Sequence, residues 1–235
     1  MSNNYGKLYL IPNFLSEDNP DEFIAEMVRK MVHQLRNFVV ENEKQGRALI
    51  KRLNIQHSQQ ELQIWLLNEH TPKIEIAGLL KALENEDAGI ISDAGLPCIA
   101  DPGSDLVALA QQKNIEVIAL PGASSMMMAL MASGFNGQQF SFSGYLPVER
   151  PMRIKKIKAL EALMYGGLTQ LFMETPYRNN HVLEDLLQQC LDQTKLCIGC
   201  AVSGNNGWVR TKTVLEWKKH KPDLHKKPCI FILGK

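Results

Sequence analysis

The chain has 235 residues, of which 45% are hydrophobic and 22% charged, and its formal net charge is +1. This is the composition of an ordinary globular protein, long enough for one large or two small domains. No apolar run approaches the ~20 residues of a membrane span, and the first residues lack the apolar segment of a signal peptide, so we expect a cytoplasmic protein without membrane attachment.

Apolar runs and helical patterns alternate along the first part of the chain. Helices are predicted where apolar residues recur with helical spacing or where capping signals occur, at residues 21–35, 46–53, 71–84, 104–113 and 124–133. Strands are predicted between them, at residues 8–12, 38–40, 62–67, 88–91 and 116–120. Strands that alternate with helices imply right-handed crossovers and a mainly parallel sheet.

The pattern changes after Gly134. Helices are predicted at residues 152–163 and 179–190, and strands at 140–146, 168–174, 196–202, 209–217 and 230–233. The last three strands follow one another without a helix, which is typical of a mixed or antiparallel sheet. We therefore predict two α/β domains, residues 1–137 and 138–235, the first with a mainly parallel sheet.

The five cysteines are odd in number and scattered, which argues against a disulfide framework. Cys197 and Cys200 form a C-x-x-C pair within a predicted strand. A spacing of three places the two thiols on opposite faces of a strand. We therefore predict buried structural cysteines here rather than a metal or redox site.

Two loops rich in Gly, Pro, Ser and Asp, residues 92–104 and 121–125, directly follow predicted strands and precede predicted helices. In open parallel sheets, ligands bind beyond the carboxyl ends of the strands. The chain has no G-x-G-x-x-G after its first strand, no P-loop, no H-E-x-x-H and no G-x-S-x-G. A dinucleotide fold, a phosphate loop, a metal site and a serine hydrolase are therefore not predicted.

Five short motifs occur in a fixed order: Ser-Asp-Ala-Gly-Leu-Pro-x3-Asp-Pro-Gly from residue 92, Pro-Gly-x-Ser from 121, Ala-Ser-Gly from 132, Phe-x-Gly-Tyr-Leu-Pro from 142 and Phe-Met-Glu-Thr-Pro-x-Arg from 172. As a set they resemble the tetrapyrrole methylase superfamily, two-domain methyltransferases that use S-adenosylmethionine (SAM). The chain looks most like the branch that methylates a ribose 2′-hydroxyl of 16S ribosomal RNA. The match is dense over residues 88–180 and loose elsewhere.

The resemblance implies a homodimer and a SAM molecule folded in the cleft between the two domains. A carboxylate such as that of Asp93 can accept hydrogen bonds from a ribose or an amino group, and serines at a helix start offer N–H groups and hydroxyls. By position in the motifs, the implied cofactor residues are Pro12, Asp93, Leu96, Pro97, Ser124, Ser125, Met173, Ala201 or Val202, and Cys229.

The chain leaves the branch's pattern on the side that would hold the methyl acceptor. An Ala-Glu-Asp-Thr-Arg motif of the branch is here Val-Glu-Asn-Glu-Lys, so that Asn42 replaces an acid, and His-Glu-His-Asn-Glu is reduced to three residues, 68–70. A hydroxyl acceptor must lose a proton, so a positioned base would help. Glu41 and Glu69 are the candidate catalytic groups, and Arg47 is a candidate to hold an anion.

Charge is uneven along the chain. Residues 1–145 contain 11 Lys and Arg but 17 Asp and Glu, whereas residues 146–235 contain 15 and 8. The basic part is compatible with RNA phosphates, for which Lys155 and Lys156 on a basic helix are candidates, or simply with a solvated surface. Two alternatives stay open: a methyltransferase of a small molecule such as a tetrapyrrole, and a SAM-binding protein without catalysis.

Overall fold

The computed structural model describes residues 5–235 and divides the chain into two compact units, Met1–Ser124 and Ser125–Lys235. The first unit contains five strands: β1 (Leu8–Ile11), β2 (Asn37–Val40), β3 (Gln63–Leu66), β4 (Ala88–Ile91) and β5 (Val117–Ala119). They form one sheet in the order β3-β2-β4-β1-β5, and all neighbouring strands are parallel. The predicted parallel sheet is confirmed.

Helices connect these strands and cover both faces of the sheet. They are α1 (Glu26–Val32), α2 (Glu43–Arg52), α3 (Lys73–Ile76) and α4 (Ser104–Gln112), with 3₁₀ segments at Asp21–Phe23 and Ala77–Leu83. One apolar cluster includes Val28, Phe38 and Ile50, and another includes Leu8, Val39 and Leu106. Because successive strand residues point to opposite faces, Phe38 and Val39 belong to different clusters.

Two helices of the first unit differ from the prediction. The helix predicted at 21–35 is interrupted at Ile24 and Ala25, whose backbones are extended, and the Ile24 side chain is instead buried in the core. The segment predicted at 71–84, with Thr71 as N-cap and Pro72 as the first helical residue, instead has Pro72 at the N-cap and begins its helix at Lys73. It continues as a 3₁₀ segment after Ile76. At α4, Gly103 occupies the N-cap position and Ser104 is the first helical residue, as the predicted range implied.

The second unit contains a mixed sheet, as predicted. Its strands are β6 (Phe140–Tyr145), β7 (Thr169–Glu174), β8 (Lys195–Cys200), β9 (Trp208–Thr213) and β10 (Cys229–Gly234), in the order β6-β7-β10-β8-β9. Only the β6–β7 pair is parallel among the pairs of this sheet. The strand predicted at 209–217 is wrong after Thr213, because a capping box between Thr213 and Glu216 starts a helix there.

Helices cover both faces of the second sheet. The helix α5 (Ser125–Ser133) packs on one face, and α6 (Arg150–Tyr165), α7 (Asn179–Gln189) and α8 (Val214–Lys219) pack on the other. Cys197 belongs to the α5 face and Cys200 to the opposite face, which confirms the prediction from their spacing.

The division between the units comes before α5, whereas the sequence placed the domain boundary after it, at 137/138. Met126, Ala129 and Leu130 of α5 pack against Cys197 and other residues of the second sheet. Within the described residues, no helix is long and apolar enough to cross a membrane.

Candidate functional site

The loops after β1, β4 and β5 meet at the carboxyl edge of the parallel sheet. Gly122 approaches the β1 loop so closely that a Cβ there would lie 2.1 Å from Pro12 Cβ and 3.2 Å from Leu96 Cδ2. Only glycine allows this contact without a shift of the chain. We call residues 12–15, 92–97 and 121–124 the loop cluster. The cluster brings together Pro12 and Leu96, two of the predicted cofactor residues.

Asn13 fastens the loop cluster together. Its backbone N–H donates to the carbonyl of Gly95 at 2.7 Å. Its side-chain Nδ2 donates to the carbonyls of Ser92 and Asp93 at 2.8 and 3.0 Å, and its Oδ1 accepts the N–H of Phe14 at 2.7 Å. Asn13 is 7% exposed, so water has little access to its polar atoms and these bonds within the protein satisfy them. The residue therefore fixes the turn that carries Asp93.

Carboxylates gather at the same edge of the sheet. Glu41 follows β2, and Asp93 and Asp101 follow β4. Burial, and then the charge of Asp93, raises the pKa of Glu41, although Glu41 also accepts a hydrogen bond from the Asp93 backbone. Partial burial also raises the pKa of Asp93. These groups thus form an electrostatically linked acidic cluster.

The pKa of the Asp101 carboxyl is strongly raised. Burial, followed by the charges of Glu41 and Asp93, raises its pKa to about 7, and a hydrogen bond with the Ser92 hydroxyl lowers it only in part. A pKa near 7 suits a group that exchanges protons at neutral pH. Asp101 was not among the residues predicted for the site, although it is the acid of the Asp-Pro-Gly motif.

The loop that carries Asp101 has an unusual backbone. Cys98 and Ala100 adopt left-handed φ angles of 67° and 63°, although neither is glycine. Such conformations cost about 1–3 kcal/mol each and cluster at functional sites. Gly103 has a φ of 126°, and a Cβ there would lie 2.8 Å from Cys98 Sγ. The two ends of the loop are therefore packed tightly on either side of Asp101.

The other predicted acceptor-side residues are less constrained. The side chain of Glu69 is 81% exposed and its carboxylate lies 3.6 Å from His70 Nε2. Arg47 pairs with Glu43 at 2.9 Å and donates to the Gln59 carbonyl at 3.1 Å. The Arg47 guanidinium is therefore engaged by its own neighbours rather than directed towards an open anion site.

The second-unit residues predicted to bind the cofactor lie at one end of its sheet. Met173 is near the end of β7, Ala201 and Val202 follow β8, and Cys229 begins the strand between them. Met173 and Val202 pack on the α5 face, whereas Cys229 and Ala201 pack on the opposite face. Cys229 is 5% exposed, so its side chain is packed in the core at this end of the sheet.

The motif Phe-Met-Glu-Thr-Pro-x-Arg forms a structural clamp. The buried carboxylate of Glu174 pairs with Arg178 at 2.8 Å, and its other oxygen accepts the N–H of Thr175 at 2.7 Å. Arg178 also donates to the carbonyl of Pro147 at 3.1 Å. The clamp joins β7 to the end of the Gly-Tyr-Leu-Pro motif, which explains why the two motifs occur together.

The helix α6 presents a smaller basic surface than its sequence suggests. Arg153 is 6% exposed and pairs with Asp185 at 2.8 Å, so its charge is used inside the unit. Lys155 is exposed and Lys156 is half-buried. Of the two lysines, Lys155 is therefore the more accessible to a partner.

A cavity of about 300 Å³ in the second unit contains none of the predicted site residues. It is lined by Lys195, Lys212, Lys235 and Glu216, among others. Lys195 starts β8, so this cavity lies at the opposite end of the sheet from Ala201. Among the described residues, no group of three or more His, Cys, Asp and Glu is arranged to hold a metal ion.

The protein is thus a two-unit α/β protein with one parallel and one mixed sheet. Its loop cluster lies where ligands bind in parallel sheets. Solved methyltransferases share this fold. The methyltransferase CobJ has a TM-score of 0.64 and 16% identity, covering 98% of this chain and 94% of that one. Uroporphyrin-III-C-methyltransferase from Thermus thermophilus has a TM-score of 0.56 and 17% identity, with 98% and 94% covered.

The family model of the Tetrapyrrole (Corrin/Porphyrin) Methylases matches residues 21–214, and the chain belongs to this family. The resemblance seen in the motifs is thereby confirmed. Two relatives are named "Ribosomal RNA small subunit methyltransferase I". The Halalkalibacterium halodurans protein is 31% identical over 77% of this chain and 60% of its own length. The Pseudomonas aeruginosa protein is 34% identical over 76% and 64%. The chain thus spans less than two thirds of these relatives' length.

Proposed function

We propose that this protein transfers a methyl group from SAM to a ribose 2′-hydroxyl of small-subunit ribosomal RNA. The observation that carries the proposal is the loop cluster: the motifs that resemble the family fall on loops that meet at Gly122 and are fastened by Asn13. The acceptor class comes from the names of the relatives. A homodimer in the cytoplasm is part of the same proposal.

The residues of the loop cluster fit an adenosine-containing cofactor. Asp93 has a partly buried but accessible carboxylate that can accept hydrogen bonds from ribose hydroxyls or from an amino group. Leu96 is half-buried and offers apolar surface, whereas Pro12 and Pro97 are buried and are proposed to shape the apolar wall beneath it. When bound, SAM supplies an electrophilic methyl group on its sulfonium.

Further cofactor contacts are proposed at the start of α5 and in the second unit. Serine hydroxyls and N–H groups at a helix start are suitable donors for a carboxylate. Met173 and Val202 offer apolar side chains, and the start of β10 offers backbone groups. The full proposed set is Ser124, Ser125, Met173, Ala201, Val202 and Cys229.

Asp101 and Glu41 are the proposed proton acceptors. The ribose hydroxyl must lose its proton as its oxygen bonds to the methyl carbon, and most of the acceleration comes from holding the two reactants in line. A carboxylate with a pKa near 7 balances basicity against the fraction that is ionised at neutral pH. The raised pKa of Asp101 and Glu41 favours this role over the exposed Glu69. We expect turnover to rise with pH, with a midpoint near 7, and Asp101→Asn to abolish that dependence.

RNA phosphates are proposed to contact Lys155 and Lys156. The double variant Lys155→Ala/Lys156→Ala should weaken RNA binding and reduce its dependence on salt. With fewer phosphate contacts, fewer counterions are released from the RNA on binding. Lys218→Ala is the matched control, since Lys218 already pairs with Asp192 at 2.6 Å. An unchanged affinity and salt slope in the double variant would remove the α6 surface from the proposal.

Calorimetry with SAM tests the cofactor. Asp93→Ala should weaken binding by about tenfold or more, because it removes a charged hydrogen-bond acceptor. Asp105→Ala is the control, because Asp105 is exposed in the first turn of α4 and lies 3.9 Å from Lys73. Absence of SAM binding to the wild-type protein would contradict the whole proposal.

Mass spectrometry of ribosomal RNA tests the acceptor. Cells that lack the gene should lose one ribose methyl group from 16S RNA, and the gene should restore it. An unchanged methylation profile, with SAM binding intact, would favour a small-molecule acceptor or a protein that binds SAM without catalysis.

A further inference from the structure

Two of the five cysteines face each other across neighbouring strands. Cys200 ends β8 and Cys229 begins β10, and the two residues are direct partners in the antiparallel register. Both belong to the core cluster between the sheet and the helices α6, α7 and α8. They are 1% and 5% exposed. The other cysteines have no such partner, since Cys197 points to the opposite face.

The geometry of this pair is close to that of a disulfide. Directly opposite residues of antiparallel strands have Cα atoms about 4.5–5.5 Å apart. Disulfides bridge Cα separations of about 4.4–6.8 Å. The two side chains are close enough for a hydrogen bond between the thiols to shift the pKa of both, and the Cys229 thiol donates to the carbonyl of Lys227 at 3.5 Å. Joining the two sulfurs therefore requires side-chain rotation and little movement of the backbone.

The surroundings favour ionisation of one thiol. The hydrogen bond from Cys229 lowers the pKa of Cys200, and the nearby charge of Lys227 acts in the same direction. The same hydrogen bond raises the pKa of Cys229. Burial raises the pKa of Cys190 and Cys197. Because the thiolate is the reactive form, Cys200 is set apart as a nucleophile and Cys229 as the thiol that can resolve it.

We propose that Cys200 and Cys229 form a redox-sensitive dithiol that peroxides oxidise to an intramolecular disulfide. The Cys200 thiolate attacks one peroxide oxygen, the O–O bond breaks, and a sulfenic acid forms with release of hydroxide. The Cys229 sulfur then attacks the sulfenic sulfur and displaces its oxygen as water. In balance, two thiols and one hydrogen peroxide give one disulfide and two waters.

The position of the pair links oxidation to the proposed cofactor site. Ala201 directly follows Cys200, and its N–H donates to the carbonyl of Pro228, next to Cys229, at 2.8 Å. Ala201 and Ser203 have left-handed φ angles of 46° and 74°, so this turn has little freedom to adjust. Resting on the proposed function, we expect the small shift that joins the two sulfurs to reach this turn directly and to weaken SAM binding.

Peptide mapping by mass spectrometry after hydrogen peroxide treatment tests the disulfide. In the wild-type protein, the peptides that contain Cys200 and Cys229 should become linked with loss of two hydrogen atoms, and titratable thiols in denaturant should fall from five to three. Cys200→Ser and Cys229→Ser should each abolish the linked peptide, whereas Cys190→Ser should retain it. The linked peptide and the thiol count are measured on the wild-type protein, so the test does not depend on whether a variant folds.

Other results of the same mapping would overturn the proposal. These are five free thiols after treatment, a disulfide that involves a different cysteine, or separate over-oxidation of the two residues without a link. Calorimetry on reduced and oxidised wild-type protein then tests the consequence, with about tenfold weaker SAM binding expected after oxidation. Equal affinity of the two forms would refute the effect on the cofactor. Failure of the reduced form to bind SAM would instead contradict the proposed function and leave the disulfide result standing.

Discussion

The loop cluster depends on Asn13, and the variant Asn13→Ala tests that dependence. The substitution removes two donated hydrogen bonds, to the carbonyls of Ser92 and Asp93, and one accepted from the N–H of Phe14. Each such bond contributes about 1 kcal/mol net, and buried acceptors left unpaired cost more. We therefore expect the free energy of unfolding to fall by about 2–4 kcal/mol.

Urea unfolding followed by circular dichroism measures this loss, and calorimetry measures SAM affinity in parallel. Asn13→Asp separates the contributions, because it keeps the acceptor for Phe14 and places an oxygen against the two carbonyls. It should be at least as destabilising as Asn13→Ala. Asn136→Ala is the control, since the exposed Asn136 Oδ1 accepts one hydrogen bond, from the Gln138 N–H at 2.8 Å, and the variant should lose less than about 1 kcal/mol. Equal stability of Asn13→Ala and Asn136→Ala, with unchanged SAM affinity, would refute the reasoning.

Three further predictions follow from named contacts. The pKa of Asp101 is raised from an ordinary 3.8 to about 7, so the folded state holds this proton more tightly than the unfolded state does. The resulting contribution to the free energy of unfolding is fully present below about pH 4 and is lost as the pH rises through 7. Asp101→Asn should therefore be more stable than wild type at pH 8 by about 1–3 kcal/mol and similar at pH 4, as urea unfolding at both values would show; a difference independent of pH would contradict this. Arg178→Ala leaves the buried Glu174 unpaired and should lower stability by about 3 kcal/mol in the same assay, and a loss below about 1 kcal/mol would refute the clamp. Gly122→Ala should lower both stability and SAM affinity, whereas Gly137→Ala, where an added Cβ meets nothing within 4 Å, should change neither, and equal behaviour of the two would refute the close approach.

Short buried strands of the first unit could be predicted well from sequence. The run at 88–91 is the observed β4, because a strand covered on both faces is a continuous apolar segment bounded by polar residues. The error at 209–217 arose where the apolar pattern of Val214 and Trp217 suited either a strand or a helix. Thr213 and Glu216 carried the deciding signal, a capping box.

The assignment of α5 could not be made from its own sequence. Its apolar residues can pack on any apolar sheet, and only the tertiary contacts with Cys197 and Ile230 assign it to the second unit. Long-range packing of this kind overrides local patterns.

The candidate site was predictable in its loops but not in its chemistry. Motif order located Asp93 and Gly122, yet the role of Asn13 rests on partners about 80 positions away in the chain. The perturbation of Asp101 depends on burial and on the charge of Glu41, which no local pattern reveals. Asn42, which replaces an acid of the branch's motif, is the N-cap of α2 and accepts a hydrogen bond from the N–H of Gln45 at 3.2 Å.

Methyl transfer with purified components tests the central claim most directly. The protein is incubated with SAM that carries a deuterated methyl group and with small ribosomal subunits from cells that lack the gene. Mass spectrometry of the digested RNA should then find the label on one ribose of 16S RNA, and Asp101→Asn should reduce its incorporation at neutral pH. Binding of SAM without label on any RNA would contradict the account.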